Sequence, residues 1–213
     1  MRKSRIAVVA SVVAVISALP LPAAVARGRD KQPTADPAIV AALDRIDDGS
    51  WTADDLTLIR SNPQIAEQVP DPSVPATVRV TAIAPVALQA LGSGLVRTTT
   101  CGHWAQVDLT KTSTLGNTIF TWRHYVQYCR DGLVVKQWEV RSDWLVEAQS
   151  GVYLRKEGST NWQSSLGTNR ANSFRQQHIE YCIFKVGCYQ NLSPWSLITV
   201  YGGGGFEWSS GGM

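Results

Sequence analysis

Apolar and polar positions alternate along NTIFTWRHYVQYC, residues 117–129. Trp122, His124, Val126 and Tyr128 fall on one face of an extended chain, and Arg123, Tyr125 and Gln127 on the other. β-Branched and aromatic side chains fill the stretch, which predicts a strand. RDG follows, where Gly132 can supply the positive φ of a reversal, and LVVKQWEVRSDW reads as the returning strand. SGVYLRKEG, NSFRQQHIEYCIF, PWSLITVYG and GFEWSS are four more strand candidates, separated by Gly, Asn, Ser and Pro. Six or more short strands, with no long 3.6-residue period between them, predict an antiparallel β-sandwich or barrel-like domain over residues 98–213.

Upstream the period changes. Asp36 before Pro37 is an N-cap signal opening PAIVAALDRIDDG, with Ile39, Leu43 and Ile46 on one helical face and Gly49 as the stop. Thr52 caps ADDLTLIRSN, whose Asp54 and Asp55 suit the positive end of the helix dipole. Pro63 opens a third turn, PQIAEQV. Residues 27–69 are therefore a short helical extension. Residues 70–97, broken by Pro70, Pro72, Pro75 and Pro85, read as a linker holding a short strand at Thr77–Ile83. Short helices bury little alone, so the extension either docks on the β domain or acts as a pro-segment.

The first residues show a third pattern. Arg2, Lys3 and Arg5 precede an uncharged run from Ile6 to Leu19, and Ala24-Val25-Ala26 has the small-x-small form of a cleavage site. Residues 1–26 thus read as a signal peptide, and the mature chain as secreted from about Arg27. The run is shorter than the ~20 apolar residues of a bilayer span, so no stable membrane span is expected after its removal.

This changes the charge. Without those three cations the formal net charge of +3 disappears, leaving 17 Lys+Arg against 17 Asp+Glu. A near-neutral chain without a Lys/Arg cluster argues against a nucleic-acid partner. Among eight tryptophans, six tyrosines and four phenylalanines, only Trp51 precedes residue 98. Rings bury the most area per residue, so the main core belongs to the second part.

All four cysteines also lie there, and in a secreted chain they imply two disulfides from three pairings. Cys182 and Cys188 bracket the short IFKVG, which leaves Cys101 and Cys129 for each other. On loop entropy the short ring contributes ~2 kcal/mol and the long one ~3.5 kcal/mol.

Cys101, Leu115-Gly116, Trp122, the YCRDG turn and EYCIFKVGCYQNLSPWSLITVYGGGGFEW together resemble a group of small secreted proteins of high-GC Gram-positive bacteria. The likeness covers about residues 98–210. It implies secretion and a β-rich fold, and carries no assigned activity or functional residue.

Candidate chemistry is sparse. Cys101 with His103, His124 with Cys129, and His178 with Cys182 and Cys188 lack the paired spacing of common zinc sites, and oxidised sulfurs are not ligands. No metal and no cofactor is expected. An even cysteine count leaves no thiol nucleophile. There is no G-x-S-x-G elbow, and GGGGF lacks a Walker lysine. No catalytic residue is assigned. A hydrolase would need two carboxylates about 5 to 9 Å apart, with Glu139 or Glu180 as the acid; Asp131 reads as a turn residue.

The tryptophans carry the leading expectation. Seven of them fall in one small β domain. Trp122 and Trp138 suit a core, whereas Trp144 in RSDWL and Trp162 in TNWQSS are crowded by polar residues. With Tyr153, these two would form an exposed platform for a ligand. The chain is therefore expected to be a non-enzymatic binding domain for an extracellular or cell-envelope ligand, with the sugar rings of a glycan and apolar ligands both suited to such a platform. The alternatives are a toxin or enzyme inhibitor released from a helical pro-segment, and a hydrolase.

Overall fold

The computed structural model describes residues 36–83, 99–183 and 186–213, apart from the side chains at 156, 189 and 190. The expected signal peptide, residues 27–35 and linker residues 84–97 lie outside these.

Among the described residues three helices come first: α1 (Pro37–Asp47), α2 (Ala53–Arg60) and α3 (Pro63–Ala66). The Asp36 carboxylate caps α1 by accepting from the Ala38 N–H. Thr52 and Asp55 form a reciprocal capping box at α2, and Asp55 also pairs with Arg45 of α1. Nine strands follow among the described residues: β1 (Thr77–Ile83), β2 (Thr100–Thr112), β3 (Thr118–Arg130), β4 (Val135–Ala148), β5 (Val152–Gln163), β6 (Arg170–Ile183), β7 (Gly187–Leu192), β8 (Trp195–Tyr201) and β9 (Phe206–Gly211). All pair antiparallel. One sheet runs β1-β2-β3-β4, the other β5-β6-β8-β9 with β7 also on β6, and the two pack as a sandwich. Gly132 turns β3 into β4 at φ 87°, where a side chain would be strained.

Alternation decides the core. Phe120, Trp122, Val126 and Tyr128 of β3 point inward, as do Ala105, Val107 and Leu109 of β2. They meet Ala171, Ile179, Tyr181, Ile198 and Val200 of the second sheet. The Phe120 and Tyr181 rings lie 5.7 Å apart across the gap.

A polar centre interrupts this core. His124 is fully buried; its Nδ1 lies 2.5 Å from Ser196 Oγ and its Nε2 2.9 Å from Ser173 Oγ. Arg141 Nε donates to the same Ser173 hydroxyl at 2.9 Å, and Trp122 Nε1 donates to Asp143 at 3.2 Å. Arg175 pairs with Asp143 and donates to the Arg141 carbonyl. Arg141 also donates to Asn161, Gln163 and the Trp162 carbonyl, fastening edge strand β4 to edge strand β5.

The helical extension docks. Ile39, Ala42, Leu43, Ile46, Leu56, Ile59, Ala66 and Val69 form a second apolar cluster that takes in Ile183 from the end of β6. Arg60 donates to Asp71 at 2.9 Å and to the Thr114 carbonyl at 3.2 Å. The Lys111 ammonium is buried against the carbonyls of Asp71 (2.9 Å) and Val74 (2.8 Å). The first part of the expected linker thus belongs to the fold, and β1 pairs with β2 along its whole length. Leu43 is 1% exposed, and Leu43→Ala is expected to cost about 2–5 kcal/mol. Urea unfolding followed by tryptophan fluorescence checks this. A helical subdomain that melts alone, leaving the main transition unmoved, would show the docking to be energetically idle.

Candidate ligand-binding faces

The alternation that buries Trp122 sends its neighbours out. Arg123, Tyr125 and Gln127 of β3 face away from the second sheet. The register places Gln127 opposite Trp104 of β2 and Arg123 opposite Trp144 of β4, so all share that outer face. Trp104 and Tyr125 rings lie 6.0 Å apart, and Tyr125 and Trp144 rings 6.2 Å apart. They make an oblique strip across three strands, which Ile83, paired with Trp104 and 53% exposed, extends onto β1.

The border of the strip is polar and internally bonded. Arg123 grips Asp108 through two bonds of 2.7 Å while lying 5.7 Å from the Trp144 ring centre. Gln106 donates to Asp108 at 3.2 Å. The Tyr125 hydroxyl donates to Gln127, whose amide donates to Glu139 at 3.1 Å. Burial, with Glu139 adding to it, pushes the Tyr125 phenol up, so it stays a donor at neutral pH. Glu139 is the extra residue where the β3–β4 register shifts between Gln127 and Tyr128. The bulge turns it toward the Gly102 N–H, which donates at 2.9 Å. Arg79, paired with Asp108 on β1, completes the border, so two cations balance two acids.

The expected platform is divided by the fold. Trp144 (37% exposed) belongs to the first sheet, whereas Trp162 (44%) and Tyr153 (50%) belong to β5 of the second. Tyr153 pairs with Glu180 and Trp162 with Phe174, six residues apart along β6, so these two do not share a patch either. Trp162 instead heads a row with Phe174 and Trp195. Nothing local in the sequence marks Trp104, Phe174 and Trp195 as surface rings. For Tyr125 the signal is local, since it lies between inward-facing His124 and Val126.

The other candidate groups are spoken for. Both disulfides form, Cys101–Cys129 between β2 and β3 and Cys182–Cys188 between β6 and β7. Glu139 and Glu180 lie beside these sulfurs, which as disulfides offer no thiolate. His103 and His124 point inward, away from the Cys101–Cys129 bridge. Asp108 and Glu139 sit at opposite ends of the strip, about 13 Å apart at ~3.3 Å per strand residue, beyond the spacing of a glycosidase pair. Glu180 pairs with Arg155 in a groove of about 760 Å3 that also holds His178, 3.4 Å from the Ser193 hydroxyl. Among the described residues no helix is long and apolar enough to cross a membrane. No family model, curated protein or solved structure matches the chain.

Proposed function

We propose that this is a secreted, non-enzymatic binding protein whose first-sheet outer face takes an uncharged extracellular or cell-envelope glycan. The observation that carries the reading is the strip Trp104–Tyr125–Trp144, bordered by Gln106, Gln127, Glu139 and the Asp108–Arg123 pair. A sugar ring has an apolar face that stacks on indole and phenol, and a rim of hydroxyls that needs both donors and acceptors. The border supplies both, held in place by bonds among themselves and by rigid strands, so little side-chain freedom is lost on binding. Its balanced charge favours a neutral ligand over an anionic one. The signal-like first residues and the two disulfides support export, as does the resemblance to secreted β-rich proteins.

The docked extension weighs against the pro-segment alternative. A cut in residues 84–97 would leave the extension still held, β1 by its pairing with β2 and by Val80 and Ala82 against the core, and the helices by their contact with Ile183.

Retention on insoluble neutral polysaccharides and on cell-wall preparations tests the reading. Trp104→Ala/Trp144→Ala is expected to weaken retention at least tenfold with little change in the unfolding midpoint, because both rings are part-exposed. Retention unchanged in that variant would remove the strip from any binding role.

A further inference from the structure

We infer that the outer face of the second sheet is a second subsite for the same class of ligand, so that one molecule cross-links two glycan chains; this rests on the reading above. Trp162, Phe174 and Trp195 form a row across β5, β6 and β8. Trp162 and Phe174 rings lie 5.5 Å apart at 9° and Phe174 and Trp195 rings 6.1 Å apart at 25°. The row therefore has nearly parallel planes, unlike the tilted strip on the other face.

Its end rests on a glycine floor. A Cβ on Gly211 would come within 2.9–3.0 Å of the Trp195 indole, so the ring occupies space that a side chain at this position of β9 would need. Thr160 pairs with Gln176, and Asn172 with Thr199, whose hydroxyl donates to the Asn172 side chain at 2.9 Å. Ser209 sits opposite Leu197. The groups nearest the rings are thus hydroxyls and amides, which match sugar hydroxyls; the charge at this margin is Glu207, opposite Thr199 and bonded to the Tyr201 hydroxyl.

A second copy of the chain is the competing occupant. Three part-exposed rings present on the order of 300 Å2, against about 800 Å2 per partner in a stable interface. The row suits a slender ligand better than another folded surface.

The two rows look away from each other. Arg123 and Tyr125 mark one outer face and Phe174 the other, with the sandwich core between. An extended chain lying on one row cannot also lie on the other. Two sites on one rigid body then tie separate chains together and raise retention on a polymer by avidity.

Light scattering of the full-length mature protein mixed with soluble neutral polysaccharides, a β-glucan, a galactomannan and dextran, tests this. Wild type is expected to give turbidity that rises and then falls with the ratio of protein to polymer. Trp162→Ala is expected to abolish turbidity and lower retention on the insoluble polymer about tenfold, while binding to the soluble chain persists through the first face. Trp162→Phe keeps a ring and is expected to keep the turbidity. Turbidity unchanged in Trp162→Ala overturns the second subsite and leaves the first standing. No binding by wild type overturns both readings. A wild-type dimer in sedimentation that Trp162→Ala converts to monomer assigns the row to self-association and overturns the inference.

Discussion

Lowering the pH from 7 to 4 is expected to reduce the urea midpoint sharply, and His124→Gln to remove most of that dependence. His124 is fully enclosed between the sheets, with a serine hydroxyl at each ring nitrogen. Burial, then the nearby Arg175 and Arg141 guanidiniums, push its pKa down to about 3. The neighbouring carboxylate, Asp143, is already engaged by Trp122 Nε1 and Arg175. In the unfolded chain the same ring titrates near ~6.5. Stability from the neutral ring is therefore complete above that value and is lost as the pH falls toward about 3, because only the unfolded state takes up the proton. The slope is ~1.4 kcal/mol per pH unit, or about 3 kcal/mol by pH 4. Lowered carboxylates such as Asp131, held to about 2 by the Val134 N–H and Lys136, begin to act only as the pH falls through the ordinary aspartate value near ~3.9, so they add little above about pH 5. Buried His103 is also lowered, first by burial and then by Arg130, and leaves a residual slope of the same sign. A slope between pH 6.5 and 4.5 equal in wild type and His124→Gln would mean that the ring accepts a proton in place.

The histidine shows where legibility in the sequence stops. Alternation along residues 117–129 placed Trp122, His124, Val126 and Tyr128 on one face, and the structure buries all four. It could not show that two serines from β6 and β8 close on the ring, since nothing local links position 124 to positions 173 and 196. The helices were readable because their caps are local: Asp36, Thr52 and Asp55 each bond within their own turn. Polar residues at inward positions hid other strands. In β2, His103 and Lys111 face the interior, so only the middle of the strand carries a clean apolar period. Polar neighbours mark Trp144 as exposed, yet one of them, Asp143, points inward. It is alternation with Asp143, more than polar crowding, that turns Trp144 out. Period-2 reasoning assigns a face within a strand and is silent on which sheet the strand joins. Trp144 and Trp162 could therefore be recognised as surface rings but not as members of opposite faces. The missed partners, Trp104 and Phe174, reach them only through register between strands.

Replacing Cys101 and Cys129 together by Ser is expected to destabilise the protein by about 3.5 kcal/mol, and replacing Cys182 and Cys188 by about 2 kcal/mol. Each bridge joins strands already hydrogen-bonded side by side, with Cα atoms 4.0 Å apart in the first and 3.8 Å in the second. Cutting either leaves the folded sheets with nearly the same contacts. The loss falls on the unfolded state, which regains the freedom of the opened ring. That freedom grows with ring size, and the separations are 28 and 6 residues, so the order of the two effects is fixed by the entropy argument. At roughly 2–4 °C per kcal/mol for a chain of this size, the first variant should melt about 7–14 °C below wild type. Reduction of both bridges, about 5.5 kcal/mol together, would remove between about a third and all of a typical net stability of about 5–15 kcal/mol. Calorimetry of the two double variants checks the order. If Cys182→Ser/Cys188→Ser proved the more damaging, the short bridge would be holding β7, and with it the Ile183 contact to the helices, in the native state. Loop entropy would then be the lesser effect at that end of the sandwich.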